Sequence, residues 1–477
     1  MGLITFKTKF SSLQNDNSLR IDAKYHSLMN KTGFDIFESN SPNLILLKSI
    51  LQPYYQPFEF KESEDYFGIP TGKNFTDDFG DIINFQTITK EDHPDRLKYK
   101  ADENCILISS LKGARTPALK FEFDLSRYVF SNGFYIFKIN ENWNEKFVLY
   151  LLRTDRLKYI LDNHIYRGIG ISSYKQDDLL KILIPKIKKT TQDIIIERIN
   201  PIEEEINTLK KNKIQPIEIF NQVFSDYFKI NLKDIEKLEN KRNLSISLSN
   251  TNISNSALRS GFRWNKMQYI QTNMYSNISC IKTLGQFIKS SKNGWSPLSV
   301  EGGVGTPILG QENFSSSGVL AVEPSKATEE TRNNIKDFFI KKGDFFVSRG
   351  NTVDLVALAS IVDTEIKEDI LFPDLYILLE LNENYINKTY LSYIFNSFIG
   401  RLYFKYVSKG KNQTMVKVSS IELLNFKLPI PTLIEQKKLV EIIQKKLDMQ
   451  KIVNKQIKVK QQKISELIEE ALKIENF

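Results

Sequence analysis

Apolar residues recur along this chain with two periods, and the switch from one to the other comes twice. The run NGFYIFKIN from Asn132 to Asn140 returns as DLYILLELN from Asp374 to Asn382, an offset of 242 residues. Short apolar runs bounded by turn residues predict strands. Directly after them, EKFVLYLLRTDRLKYI from Glu145 and KTYLSYIFNSFIGRLYF from Lys388 carry aromatic and aliphatic residues at helical spacing, which predicts a helix in each place. A glycine-containing turn and a short strand ending in proline follow both, with Gly168 opposite Gly410 and Pro185 opposite Pro429. Each series closes in a long charged helix, where Gln192 falls opposite Gln436. A weaker match opens each copy, SLRIDAKYH at Ser18 against ALRSGFRWN at Ala257, with Arg20 opposite Arg259. A period of this length signals two copies of one domain, since solenoid repeats are far shorter.

The closing helices carry the architectural information. In the first, Ile195, Ile199, Ile202, Ile206 and Leu209 alternate steps of four and three, the seam of a coiled coil. In the second, the same stepping visits Leu439, Ile443, Lys446, Gln450, Val453, Ile457, Lys460, Ile464, Leu467 and Ala471, a mostly apolar line with polar breaks. Isolated helices gain little from propensity alone, so each seam needs a partner. Packing of each on its own domain is the plainer reading; because the two seams are homologous within one chain, antiparallel pairing with each other is expected. Pro201 and Pro216 interrupt the first helix, with a kink or break expected at Pro216. Between the copies lies NKRNLSISLSNTNISNSALR, rich in Ser and Asn, which reads as a linker. The resulting division is residues 1–188 and 246–431 as globular copies, with residues 189–245 and 432–477 as the helices and linker that follow them.

Composition narrows the class. With 477 residues, 41% of them hydrophobic, the chain has material for several cores. The apolar stretch from Leu355 to Val362 is far short of a membrane span, and no charged-then-apolar amino terminus of the secretory kind is seen, so a cytoplasmic protein is expected, with no membrane partner. Cys105 and Cys280 form no CxxC pair, and His26, His93 and His164 show no ligand spacing, so neither a disulfide scaffold nor bound metal is expected. A balance of 66 Lys+Arg against 57 Asp+Glu gives a net charge of +9, which permits a polyanionic partner without identifying one. Catalytic signatures are missing: there is no P-loop and no (N/D)PP(Y/F/W) loop, and the GGVG at Gly302 is a lone glycine cluster that reads as a loop.

The order of these elements, duplicated, resembles the specificity (S) subunit of type I restriction-modification systems. The resemblance is carried by LPIPTLIEQKKLVEII from Leu428, where a proline-ended strand runs into a Gln-bearing helix, and by its degraded first-copy counterpart LIPKIKKTTQDIIIERI from Leu183. GDFFVSRGNT from Gly343, GWSP at Gly294 and the opening at Leu19 add to it. The resemblance implies a mixed α/β fold with a pseudo-two-fold internal repeat: two similar target-recognition domains separated by two long antiparallel coiled-coil helices. It also implies a non-catalytic chain that reads a bipartite, asymmetric site on double-stranded DNA. Methyltransferase (M) subunits, expected to be two, and ATP-driven restriction (R) subunits would be its partners. No cofactor would be bound by this chain; S-adenosylmethionine, ATP and Mg would lie on the partners. Two alternatives stay open: the specificity subunit of a type IIB-like or methylation-only complex, and a coiled-coil adaptor that binds only protein.

Candidate DNA contacts are basic and amide side chains in predicted loops, because Arg and Lys suit guanine edges and phosphates while Asn and Gln suit adenine. In the first copy these are Lys73, Asn74, Lys112, Arg115 and Arg167; in the second, Lys292, Asn293, Arg349, Asn351, Lys409, Lys411, Asn412 and Gln413. KGART at Lys112 and SRGNT at Ser348 follow the strands CILIS and FFVS at equivalent places. For any one of these residues alone, an ordinary solvated loop side chain is the competing reading.

Overall fold

The computed structural model describes residues 43–61, 65–71, 82, 85–91, 93–111, 118–121, 123–165, 173–241, 243, 253–254, 257–258, 261–412 and 415–474, with only the backbone of 163–164, 253–254, 257–258, 411–412 and 473–474. It divides into two units, residues 1–211 with 455–477 and residues 212–454. Both units are mixed α/β.

In the first unit the strand Cys105–Ser109 is buried along its whole length, which suits its continuous apolar run. It pairs antiparallel with Phe134–Ile139, which in turn takes Leu51–Pro53 on its other edge, and with Ala118–Leu119. Pro53, unable to donate to a ladder, sits on the edge strand. A second sheet is built on Tyr128–Ser131, which pairs parallel with Tyr66–Ile69 and antiparallel with Leu97–Lys100. The predicted single helix after Asn140 is two, Glu145–Leu152 and Asp155–Ile160, because Thr154 breaks the run and caps the second piece through Leu157 N.

The second unit repeats this plan. Its buried central strand, Phe345–Ser348, lies between Tyr376–Leu381 and Ala359–Ile361, and Ile288–Asn293 adds to the far edge of Tyr376–Leu381. The strand order in the two four-stranded sheets is therefore the same. The likeness extends to the second sheet, where Leu371 bridges Ile308 in parallel and Phe339 antiparallel, in the manner of Tyr128–Ser131 above. Here too the predicted helix is two, Lys388–Asn396 and Phe398–Val407, with Ser397 as the cap between them.

A buried glutamine marks the same junction in both. Gln192 accepts from Asn144 N at 2.7 Å and donates to Ile187 O at 2.9 Å. Gln436 accepts from Asn387 N at 2.8 Å and donates to Pro431 O at 2.8 Å and to Tyr385 O at 3.0 Å. Asn144 and Asn387 each cap the helix that follows them. The helix entering the closing segment is thus tied in each unit to the start of the first helix after the sheet.

The seams face inward as their spacing predicts. Within the first unit, helix Lys189–Lys211 buries Ile195, Ile199, Ile202 and Ile206 and runs antiparallel to residues 455–474. Arg198 lies 3.5 Å from Glu470, and Glu205 pairs with Lys460 further along. Burial of each such side chain stabilises by roughly 1.5–3 kcal/mol, far more than an exposed ion pair does. Pro201 sits inside this helix and does not end it; the chain breaks at Pro216, which takes the first helical position of Pro216–Phe228. At that position the missing N–H costs no helical hydrogen bond. The expected interruption at Pro201 is therefore corrected. In the second unit Pro216–Phe228 lies antiparallel to residues 433–454 of helix Leu433–Ile474, with Lys446 bonded to Gln222 at 3.3 Å and Gln450 accepting from Ile214 N at 2.9 Å. Phe220, Val223, Phe224, Leu439, Ile443 and Leu447 share that unit's main core with the sheet and the helix pair.

Candidate nucleic-acid interface

The second unit brings several candidates together. Strand Phe345–Ser348 delivers Arg349 at its end, and the backbone there is fixed on both sides: Arg349 N donates to Leu375 O at 2.7 Å, and Val418 N donates to Arg349 O at 2.9 Å. Gly350–Asn351 then pairs with Met415–Lys417, which pairs with Lys409–Asn412, making a small three-stranded sheet. Arg349, Asn351 and the strand that contains Lys409, Lys411 and Asn412 thus come from positions some sixty residues apart in sequence onto one surface. The side chains of Lys411 and Asn412 and the whole of Gln413 lie outside the described residues.

Each described cation in this group has a carboxylate beside it. Arg349 lies 3.9 Å from Asp374, which also accepts from Ser296 Oγ at 2.6 Å. This draws the GWSP segment against the SRGNT loop. Gly294 is required there, because a Cβ would stand 2.1 Å from Pro373 O. Lys409 pairs with Glu422 at 2.9 Å. Burial alone would raise the Glu422 pKa, but hydrogen bonds from Ser419 and the Lys409 ammonium hold it below the usual glutamate range. Asn351 donates to Gln311 at 3.4 Å and accepts from Thr352 N at 2.8 Å.

A second cluster flanks the strand Ile288–Asn293. Lys292 donates to Asp337 O at 3.0 Å and lies over the Phe338 ring at 4.4 Å, while Asn293 is exposed at the strand's end. Arg332 stacks over the same ring at 4.8 Å and over Trp295 at 5.4 Å, a cation–π arrangement that holds the guanidinium in place. Sequence reasoning missed Arg332, whose surroundings, TEETRNN, carry no periodic signal, and Lys417, exposed on the middle strand of the small sheet. The glycines of GGVG occupy the turn between Val300–Glu301 and Thr306–Ile308, with positive φ at Gly302 and Gly305, a loop as read.

In the first unit, Lys73, Asn74, Lys112, Arg115 and Arg167 all lie outside the described residues. What is described is the strand end that precedes Lys112 in sequence: Leu111 bridges Ser173, Tyr174 N donates to Ser110 O at 3.2 Å, and Tyr174 OH donates to Ser109 O at 3.0 Å. This is the place that Gly350 and Lys417 occupy in the second unit. Among the described residues no group of His, Cys, Asp and Glu is arranged to hold a metal ion, and no helix is long and apolar enough to cross a membrane.

Residues 279–463 match the family model described as "Type I restriction modification DNA specificity domain". Over 180 residues, 38% of this chain, the sequence is 26% identical to the "Putative type I restriction enzyme MjaX specificity subunit" of Methanocaldococcus jannaschii; the chain covers 42% of that protein's length. Among solved structures, the HsdS subunit from Thermoanaerobacter tengcongensis aligns at 14% identity over 91% of this chain and 97% of that one, with a TM-score of 0.33. The type I S subunit from M. genitalium aligns at 14% identity over 90% and 97%, with a TM-score of 0.34. Residues 279–463 are thus similar to the DNA specificity domain of type I restriction-modification systems.

Proposed function

We propose that this chain is the non-catalytic DNA specificity subunit of a cytoplasmic type I restriction-modification complex, reading a two-part asymmetric site on duplex DNA. The observation that carries the reading is the repeated strand order: the first unit has the same four-stranded sheet as the unit that matches the specificity-domain model. Two readers of one plan but different loops suit two different half-sites. In this reading residues 1–188 and 246–431 are the recognition domains, and the candidates in their loops meet the DNA. S-adenosylmethionine, ATP and Mg would be bound by methyltransferase and restriction subunits. One face of helix Leu433–Ile474 supports such a partner: Ile434, Ile442, Met449 and Ile452 are exposed on one side, away from the buried Leu439, Ile443 and Leu447.

The test is co-expression with the methyltransferase subunit followed by genome-wide mapping of methylated adenines. A bipartite motif is expected. Arg349→Ala should relax the bases of one half-site by roughly tenfold or more, the scale of losing a bidentate base contact. Equal loss at both half-sites, or no sequence preference in the unaltered complex, would overturn the reading.

A further inference from the structure

Behind the SRGNT loop sits an arginine whose place in sequence gives no hint of its role. Arg401 lies on helix Phe398–Val407, one turn after the cap at Ser397. Its side chain runs back toward the sheet and spends its donors on main-chain carbonyls: Nε on Phe395 O at 3.0 Å, Nη1 on Val356 O at 2.7 Å and Asp354 O at 3.5 Å, Nη2 on Ala357 O at 2.6 Å. Among the described residues no carboxylate oxygen lies within ion-pair distance of it. Desolvation pulls its pKa down to about 9, with Asp354 opposing, so it remains a cation at neutral pH. A guanidinium suits this duty because it offers several donors in a fixed fork, which an ammonium does not.

Three of those four carbonyls belong to one short segment, Asp354–Ala357, and that segment is the return leg of the loop that begins at Arg349. Its base is closed by Ala357 N on Ser348 O at 2.9 Å and Ser348 N on Leu358 O at 2.8 Å. Inside it, Val356 N donates to Thr352 O at 2.9 Å. Ala357 has φ +57°, the left-handed region that L residues with a Cβ avoid. A strained, non-glycine residue persists only where its surroundings over-determine it. Here the surroundings are the Arg401 fork on its carbonyl and the Ser348 ladder on its N–H.

We propose that Arg401 is a positioning residue for sequence reading: by holding the Asp354–Ala357 leg, it sets the shape of the loop that presents Arg349 and Asn351, without itself meeting a base. The inference rests on the DNA-reading function proposed above. Replacement should therefore alter which bases are accepted in one half-site while leaving the electrostatic part of binding intact.

The experiment uses the full chain in complex with its methyltransferase subunit. Discrimination at each base is read by methylation mapping, duplex affinity is read against salt concentration, and melting is followed in parallel. Arg401→Lys keeps the charge and removes the fork; it should reduce discrimination in one half-site by roughly tenfold, the scale of a bidentate base contact, with the other half-site and the salt slope unchanged. Adding Ala357→Gly should restore part of that discrimination, because glycine takes a positive φ without support. A merely structural arginine would give a lower melting temperature and equal losses for cognate and non-cognate DNA, with no rescue. Should Arg401→Lys not yield folded complex, Arg401→Gln, which keeps two amide donors, reads the same contrast. Unchanged discrimination overturns the inference, as does a fall of about one in the salt slope, the mark of a lost phosphate contact. If the unaltered complex itself shows no sequence preference, the functional reading fails; if it discriminates and Arg401→Lys discriminates equally, only the role of Arg401 fails.

Discussion

The two units share a frame and differ in what hangs from it. Gln192 and Gln436, Asn144 and Asn387, and Thr154 and Ser397 do the same work in each: the glutamine and asparagine tie the first helix after the sheet to the closing helix, and Thr154 and Ser397 cap the second helix of the pair. The loops are held by different means. In the second unit the leg behind Arg349 is gripped by Arg401 and by Asn396, which bonds Ala359 through both its oxygen and its nitrogen at 2.9 Å. In the first, Arg153 donates to Ala118 O at 2.9 Å, and Lys158, at the place of Arg401, is exposed. The lesson is that a repeated plan keeps the contacts that make it fold and exchanges the ones beside its variable segments. This is the pattern expected if each copy answers to a different sequence.

The comparison can be broken most directly at the buried glutamines. Gln436→Ala removes three hydrogen bonds and leaves buried main-chain groups unpaired, a cost of about 3 kcal/mol, and Gln192→Ala removes two, at about 2 kcal/mol. Denaturant unfolding with hydrogen exchange on Glu145–Leu152 and Lys388–Asn396 should show each loss in its own unit. One large and one negligible effect would mean the junctions are not equivalent.

A smaller effect tests the loops. Because the Glu422 pKa is held below its ordinary value, its contribution is complete above the ordinary glutamate pKa and is lost as pH falls through the lowered one. The protection factors of amides in the strands Lys409–Asn412 and Met415–Lys417, taken against the intrinsic exchange rate at each pH, should therefore fall on acidification, and Glu422→Gln should flatten that dependence. The first unit carries the shorter, buried Asp178 at the matching position. The smallest effect is expected at the exposed pair Arg198–Glu470, where Arg198→Ala should cost less than about 1 kcal/mol in the same unfolding measurement, since the apolar seam beneath it does the holding.

Much of this was present in the linear pattern. The doubled order of strand, helix and proline-ended strand, the inward face of Ile195, Ile199, Ile202 and Ile206, and the break at Pro216 follow from side-chain period and from proline's missing N–H, which act within a few residues. For the same reason Thr154 and Ser397, residue types that favour helix starts, carry a local signal for the break inside each predicted helix. The partners of Arg349 and Lys409, and the role of Arg401, were not legible, because Asp374, Glu422 and the Asp354–Ala357 carbonyls reach them only through strand pairing across many residues. Local periodicity determined which elements exist and which faces they bury. Only tertiary packing decided which loops became neighbours, because loop side chains carry no period and their contacts are set by how the sheets and helices close around them.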